Sequence, residues 1–291
     1  MSAASSFSTE TFFLDTENGR RFCLYFAPAG NVTCHDALIY VSPFGEEMNK
    51  SRHMLALLAR ALAQSGCAVL LMDLYACGDS EGELRDASWA QWKADLTSAY
   101  YWLTQRSAAP VSLLGLRLGA LLCLDVLREK KLLIKRLVMW QPVFHGQQFL
   151  TQFFRLKLAS DMLAGTAGSA GGTQALRQQL INGDIIDIAG YEIPPQLAIP
   201  LDALSAAQCL PVACPVHWIE IQASAELTLA PARQKIVDLF PAKDNTDNTE
   251  SRFTLTPLVG TEFWATPEIT VCSELITLTC HIFKQGKTYH A

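Results

Sequence analysis

Apolar positions along the chain follow two alternating rhythms, short uniform runs and longer runs with helical spacing. The first runs, ETFFLDT and RFCLYFAP, flank Glu17-Asn18-Gly19-Arg20 and predict a β-hairpin, because an Asn-Gly pair between apolar runs is a strong turn signal. From Asp36 the pattern becomes strand and helix in turn. ALIYVSPF predicts a strand, and SRHMLALLARALAQSG a helix capped by Ser51 and stopped at Gly66. AVLLMDLYA and SWAQWKADLTSAYYWLTQ repeat the pair; VSLLGL with its own helix follows, and RLVMWQPV is the sixth core strand. Strands so uniformly apolar, separated by helices, predict an α/β fold with a mostly parallel sheet covered on both faces.

The alternation lapses between Gly146 and about Ser205. QQFLTQFFRLKLASDML reads as a helix with its aromatic and leucine residues on one face, AGTAGSAGG as a flexible linker, and GYEIPPQLAIPLDAL as a Pro-rich, poorly periodic piece. An insertion of this length between core strands predicts a lid or cap. The expected division is a core of residues 1–145 and 206–291, with 146–205 as the cap. Strands resume in CPVHWIEI and, after the polar loop AKDNTDNTES, in RFTLTPLV; PEITVCSELITLTCHIFKQ predicts a closing amphipathic helix.

Composition narrows the function classes. With 291 residues, 50% of them hydrophobic, the chain can bury a sizeable core. A net charge of −5 without a basic run argues against nucleic-acid binding. MSAASSFSTETFF has neither the basic start nor the apolar core of a signal peptide, and no apolar run is long enough for a transmembrane segment. The nine cysteines are scattered and include no CxxC pair, which favours reduced thiols in a cytoplasmic protein over disulfides or structural zinc; no metal or cofactor is expected.

The candidate chemistry centres on VSLLGLRLGALL. Gly115-Leu116-Arg117-Leu118-Gly119 has the frame of a G-x-S-x-G nucleophile elbow, with an arginine at its centre. Ser42-Pro43-Phe44-Gly45-Glu46-Glu47-Met48-Asn49 stands where an oxyanion loop is expected, and the stretch from Asp73 to Gly82 looks like a D-x-x-G-x-G-x-S-x-G loop that departs at Ala76. With these features the chain resembles the α/β-hydrolase superfamily over nearly its whole length. SPFGEEMNKSRHM, CGDSEG, GLRLGALL, WQPV and GTEFWATPEI, taken in this order, resemble the exosortase A system-associated hydrolases of the second type. That family stands beside a bacterial protein-sorting (PEP-CTERM) and exopolysaccharide system, which implies a possible protein partner from that system.

The resemblance also implies a Ser-acid-His triad. Glu220 or Glu226 supplies an acid, but Arg117 holds the nucleophile position and no histidine lies between Leu258 and Trp264. His145 alone is placed near a strand's C-terminal end and is kept as a candidate base; His35, His53, His217, His281 and His290 read as packing or surface residues. Losing the serine or the histidine costs about a millionfold in turnover, so serine-type hydrolysis at Arg117 is excluded. A displaced nucleophile, Cys77 or Ser42, would require an adjacent base or a lowered pKa.

Arg117 itself has two readings. In the first, Glu46, Glu47 or Glu220 forks onto it as an internal ion pair, the favoured arrangement because two adjacent glutamates lie in the facing loop. In the second, Arg117 and the helix N-terminus receive the carboxylate or phosphate of a small-molecule or lipid- or sugar-linked ligand, within a region formed by Phe44, Gly45, Glu46, Glu47 and Leu118. The remaining alternatives are an ester or thioester hydrolase with a displaced nucleophile and a non-catalytic interaction protein.

Overall fold

A computed structural model describes residues 7–30, 32–163, 171–224, 226, 228–240 and 252–284. The opening hairpin pairs β1 (Ser8–Thr16) with β2 (Gly19–Ala27) through the two-residue turn Glu17-Asn18. The alternation follows in order: β3 (Asp36–Val41), α1 (Glu46–Gln64), β4 (Cys67–Met72), α2 (Trp89–Arg106), β5 (Val111–Leu116), α3 (Leu118–Glu129) and β6 (Ile134–Trp140). The insertion comes next, with α4 (Gly146–Leu163), α5 (Gly172–Ile181), β7 (Ile186–Ile188), β8 (Tyr191–Ile193) and α6 (Pro195–Asp202). The chain then returns to the sheet through β9 (Val216–Gln222), α7 (Pro231–Val237), β10 (Phe253–Val259) and α8 (Ser273–Lys284).

The eight core strands lie in the order β1-β2-β4-β3-β5-β6-β9-β10; β1–β2 and β2–β4 pair antiparallel and the other pairs are parallel. The uniformly apolar strands are therefore buried on both faces, as expected. On β3, Ala37, Ile39 and Val41 join one core, together with Leu96 of α2 and Leu121 of α3. Leu38 and Tyr40 join the other, with Leu58 of α1 and Phe283 of α8. Successive parallel strands are laid down to one side of β3 and then, from β5 onward, to the other. Such a switch point opens a crevice at the carboxyl ends of the strands, where ligands bind in open α/β sheets.

Several local expectations are corrected. Ser51 does not cap α1: the helix starts at Glu46, after Gly45 with φ 62°, and Ser51 donates to the carbonyl of Glu47 from inside it. Gly45 makes this early start possible because a positive φ is accessible to a residue without Cβ. Glu46 and Glu47 thus lie in a helical first turn, where the helix dipole favours carboxylates, and not in a loop. The Pro-rich part of the insertion is ordered as β8 and α6, with β8 paired in a hairpin to β7 just before it. The hairpin's turn, Ala189-Gly190, has both φ angles positive, as a tight hairpin requires, and Pro195 opens α6 where a missing N–H costs nothing. The closing helix begins only at Ser273. All but Gly171-Gly172 of the AGTAGSAGG linker, and the AKDNTDNTES loop, lie outside the described residues. The insertion leaves and rejoins the core through a narrow neck, where Gly146 N–H donates to Leu204 O and Ala206 N–H to Phe144 O. The nine cysteines are unpaired, and among the described residues no helix is long and apolar enough to cross a membrane.

Candidate functional site

The switch point is lined by the turns that follow β3 and β5. Arg117 occupies the β5–α3 turn with φ 53° and ψ −115°, a conformation that costs free energy for any residue with a Cβ. The turn is held by three backbone bonds: Arg117 N–H donates to Trp140 O at 3.0 Å, and Arg117 O accepts from Val143 N–H at 3.1 Å and Ala120 N–H at 3.2 Å. The flanking glycines are required by close approach. A Cβ on Gly115 would overlap the backbone of Ala120, and one on Gly119 would overlap the carbonyls of Val41 and Ser42. Strand and helix therefore meet so tightly that residue 117 is forced outward at the carboxyl edge of the sheet.

The Arg117 guanidinium is held on one side only. Its Nε donates to Glu47 Oε1 at 3.1 Å, its Nη1 reaches Gln141 O at 3.4 Å, and Cζ stands 5.8 Å from the Trp264 ring centroid. A bidentate fork is not formed. Glu47 Oε2 is buried without a partner, and Nη2 donates to no described residue. Burial raises the Glu47 carboxyl above its ordinary range, opposed by the charge and hydrogen bond of Arg117.

The other glutamates expected to pair with Arg117 are engaged elsewhere. Glu46 accepts from the Tyr191 hydroxyl at 2.8 Å, tying α1 to the insertion's hairpin. Glu220, on β9, accepts from Arg233 Nη1 at 2.6 Å and Trp218 Nε1 at 2.8 Å. Burial raises Glu220 despite the Arg233 charge beside it. Arg233, on α7, is a second site cation that the sequence pattern does not single out. It packs over the rings of Phe144 and Trp218 at 5.7 and 5.6 Å, and burial lowers its pKa from the ordinary guanidinium value. The turn after β10, where a histidine was sought, carries Glu262, whose charge is felt at Glu47, Glu220 and Arg233. Phe263 and Trp264 of that turn are buried in the core.

Two cavities meet at Arg117. The first, about 120 Å³, is polar and lined by Arg117, His145, Gln148, Gln152 and Arg233. The second, about 260 Å³, is walled by Phe44, Phe149, Phe153, Leu156 and Tyr191, with Glu46 and Glu47 at its edge. Arg117, Phe149 and Gln152 line both. His145 lines the first of these cavities, and its Nδ1 is 3.3 Å from Ser205 Oγ, across the neck of the insertion.

The alternative nucleophiles face a different space. Ser42, Cys77 and Leu118 line a void of about 10 Å³ beneath Phe44, too small for more than a single water. Burial, with Asp73 and Asp95 nearby, pushes the Cys77 thiol up to about 12, the reverse of what a thiolate nucleophile needs. The loop carrying Cys77 is fixed by structural bonds: Asp73 accepts from Arg52 Nη2 at 2.9 Å, and Ser80 Oγ donates to Asp73 O at 2.6 Å. Glu226, the other acid considered, is exposed, and its carbonyl accepts from Gln222.

Solved structures share this arrangement of strands and helices. Est1E from Butyrivibrio proteoclasticus with ferulic acid bound matches at a TM-score of 0.66 and 15% identity, over 94% of this chain and 98% of that one. DcsB in complex with its substrate analogue matches at 0.60 and 15% identity, over 96% and 98% of the two chains. The chain has an α/β-hydrolase fold. A third relative in structure, alpha/beta hydrolase domain-containing protein 10 from mouse, matches at 0.53 and 14% identity over 95% of this chain and 97% of that one. No protein-family model and no curated protein sequence matches the chain. In an α/β-hydrolase fold the strand-to-helix turn held by Gly115 and Gly119 is the nucleophile elbow. The structure thus gathers Arg117, Glu47, Phe44 and, through Arg233, Glu220 around one cleft, and leaves Cys77 outside it. The sequence does not mark Arg233, because the short α7 has no strong apolar period; its one signal is Pro231 opening a helix just after the acid-bearing strand.

Proposed function

We propose that this α/β-hydrolase-fold protein has a degenerate triad and binds an anionic or acyl-bearing ligand at the cleft over Arg117, without serine-type hydrolysis. The observation that carries this reading is a guanidinium fixed at the elbow by one hydrogen bond to Glu47, with Nη2 uncommitted beside two cavities. A purely internal pair would use the fork geometry that arginine and carboxylate favour, and leave no carboxylate oxygen stranded. Residues 146–205 act as the lid, since α4 and the β7–β8 hairpin supply Phe149, Phe153 and Tyr191 to the cleft wall. The motifs shared with exosortase A system-associated hydrolases support a role in a bacterial, cytoplasmic setting beside protein sorting or exopolysaccharide assembly.

The test joins covalent labelling with calorimetry. A fluorophosphonate and iodoacetamide are expected to label neither Ser42 nor Cys77 stoichiometrically in the folded chain, while butyrate binds and its affinity falls at least tenfold in Arg117→Ala. Stoichiometric labelling of Cys77 or Ser42, or butyrate binding unchanged in the variant, overturns the reading.

A second reading is favoured by one observation. The insertion exposes Leu156, Met162, Leu163, Ile181 and Ile199 to solvent, an apolar surface that suits docking onto a protein of the same system. Under that reading, Met162→Ser with Leu163→Ser abolishes association with a component of the system and leaves butyrate binding intact.

A further inference from the structure

We infer that the ligand of this cleft is a short amphiphilic carboxylate, taken as the free acid and refused as its ester. The inference rests on the anion-binding reading above and goes further in naming the two ends of the molecule. The cavities on either side of Arg117 differ in chemistry and adjoin, sharing Arg117, Phe149 and Gln152 in their linings, which places an anion site and an apolar site within the reach of one two-ended ligand.

The polar cavity takes the headgroup. Arg117 and Arg233 both line it, and each has made its internal pairing with only part of its donor set: Nε and Nη1 in Arg117, Nη1 and Nη2 in Arg233. Arg117 Nη2 and Arg233 Nε donate to no described residue. Because Glu47 and Glu220 already match the two cations, and Glu262 adds a further negative charge, the site has no net positive field, and the pull on a ligand is the local, directional one of the uncommitted guanidinium donors. A monoanion is therefore favoured over a phosphate dianion. An ester carbonyl in the same place still accepts from a guanidinium, but it brings no opposite charge and no second equivalent oxygen for a bidentate contact, so it forfeits the ion-pair part of the interaction.

The second cavity takes the apolar arm. Phe149 and Phe153 stack at 6.2 Å, Phe44 stands edge-on to Phe153 at 5.5 Å, and Leu156 and the Tyr191 ring complete the wall. Cavities of about 150 Å³ accept benzene. A space of about 260 Å³ holds a ring with a short linker, and the linker reaches Arg117. Edge and face surfaces of several rings are presented together, the geometry aromatic groups prefer as neighbours.

The experiment is calorimetry on the full chain with 3-phenylpropionate, propionate and methyl 3-phenylpropionate. The acid is expected to bind at least tenfold more tightly than propionate and at least tenfold more tightly than the ester. Phe149→Leu should erase most of the advantage of 3-phenylpropionate over propionate. Leu156→Ser, at a half-exposed position, should reduce that advantage severalfold, which keeps the test open if Phe149→Leu misfolds. Equal affinity for the two acids overturns the two-ended ligand and leaves anion binding standing. An ester that binds as well as its acid overturns the headgroup assignment. Failure of both acids to bind overturns this inference together with the reading it rests on.

Discussion

Arg117 on the β5–α3 turn and Glu47 in the first turn of α1 are joined by one 3.1 Å hydrogen bond, and the second carboxylate oxygen of Glu47 is buried without a partner. The pair bridges the two elements that border the switch point, so it sets the shape of the cleft. It also withholds part of the guanidinium from full pairing. Both properties come from the early start of α1 at Gly45, which brings Glu47 toward the elbow from a helix instead of a mobile loop.

Glu47 gives the pair a pH signature. Its carboxyl is raised by burial, so the folded state holds a proton that the unfolded chain releases near pH 4.3. Stability associated with Glu47 is thus fully present below the unfolded pKa and is lost as pH rises through the folded one. The melting-temperature difference between the wild type and Glu47→Gln should favour the wild type most near pH 4 and shrink toward pH 7. A difference that is constant or grows with pH contradicts the assignment.

Restoring the serine alone should not restore hydrolysis. Arg117→Ser places a hydroxyl on the elbow, but the turn after β10 offers Glu262 and no imidazole, and a triad lacking its base loses about a millionfold. Turnover of p-nitrophenyl butyrate by this variant is expected to stay within about tenfold of the Arg117→Ala background.

The elbow's backbone is strained independently of its side chain. At φ 53° and ψ −115° a glycine is at ease and an alanine is not. Arg117→Gly should be more stable than Arg117→Ala by about 1–2 kcal/mol in urea unfolding, with equal m-values. Gly119→Ala, whose Cβ would meet the carbonyls of Val41 and Ser42, should lose about 1–3 kcal/mol.

Arg233 holds a buried carboxylate in place. Arg233→Met strands Glu220, which is 7% exposed, and should cost about 3 kcal/mol at pH 7. The loss should diminish as the pH falls toward 4 and Glu220 takes up a proton. A deficit unchanged between pH 4 and 7 would show that Arg233 contributes by packing on Phe144 and Trp218 alone.

The chain's local pattern by itself determined the mostly parallel sheet, the insertion after β6 and the elbow frame. These depend on neighbours in sequence: uniform apolar runs bury both faces of a strand, and glycines two residues either side of position 117 allow the tight strand-to-helix turn. The arginine at that position and the lack of a histidine between Leu258 and Trp264 were also legible, because each is a matter of residue type at a place the fold pattern marks. Only the tertiary structure decided which charges meet. It chose Glu47 for Arg117 and Glu46 for Tyr191, brought Arg233 onto Glu220, and turned Cys77 toward a void of about 10 Å³ apart from the cleft. It also made β8 and α6 of a Pro-rich stretch, the strands of the β7–β8 hairpin being too short to show a period. Pairings of this kind are fixed by how separate elements pack, and a hydrophobic pattern records which face of an element is buried without recording what it is buried against.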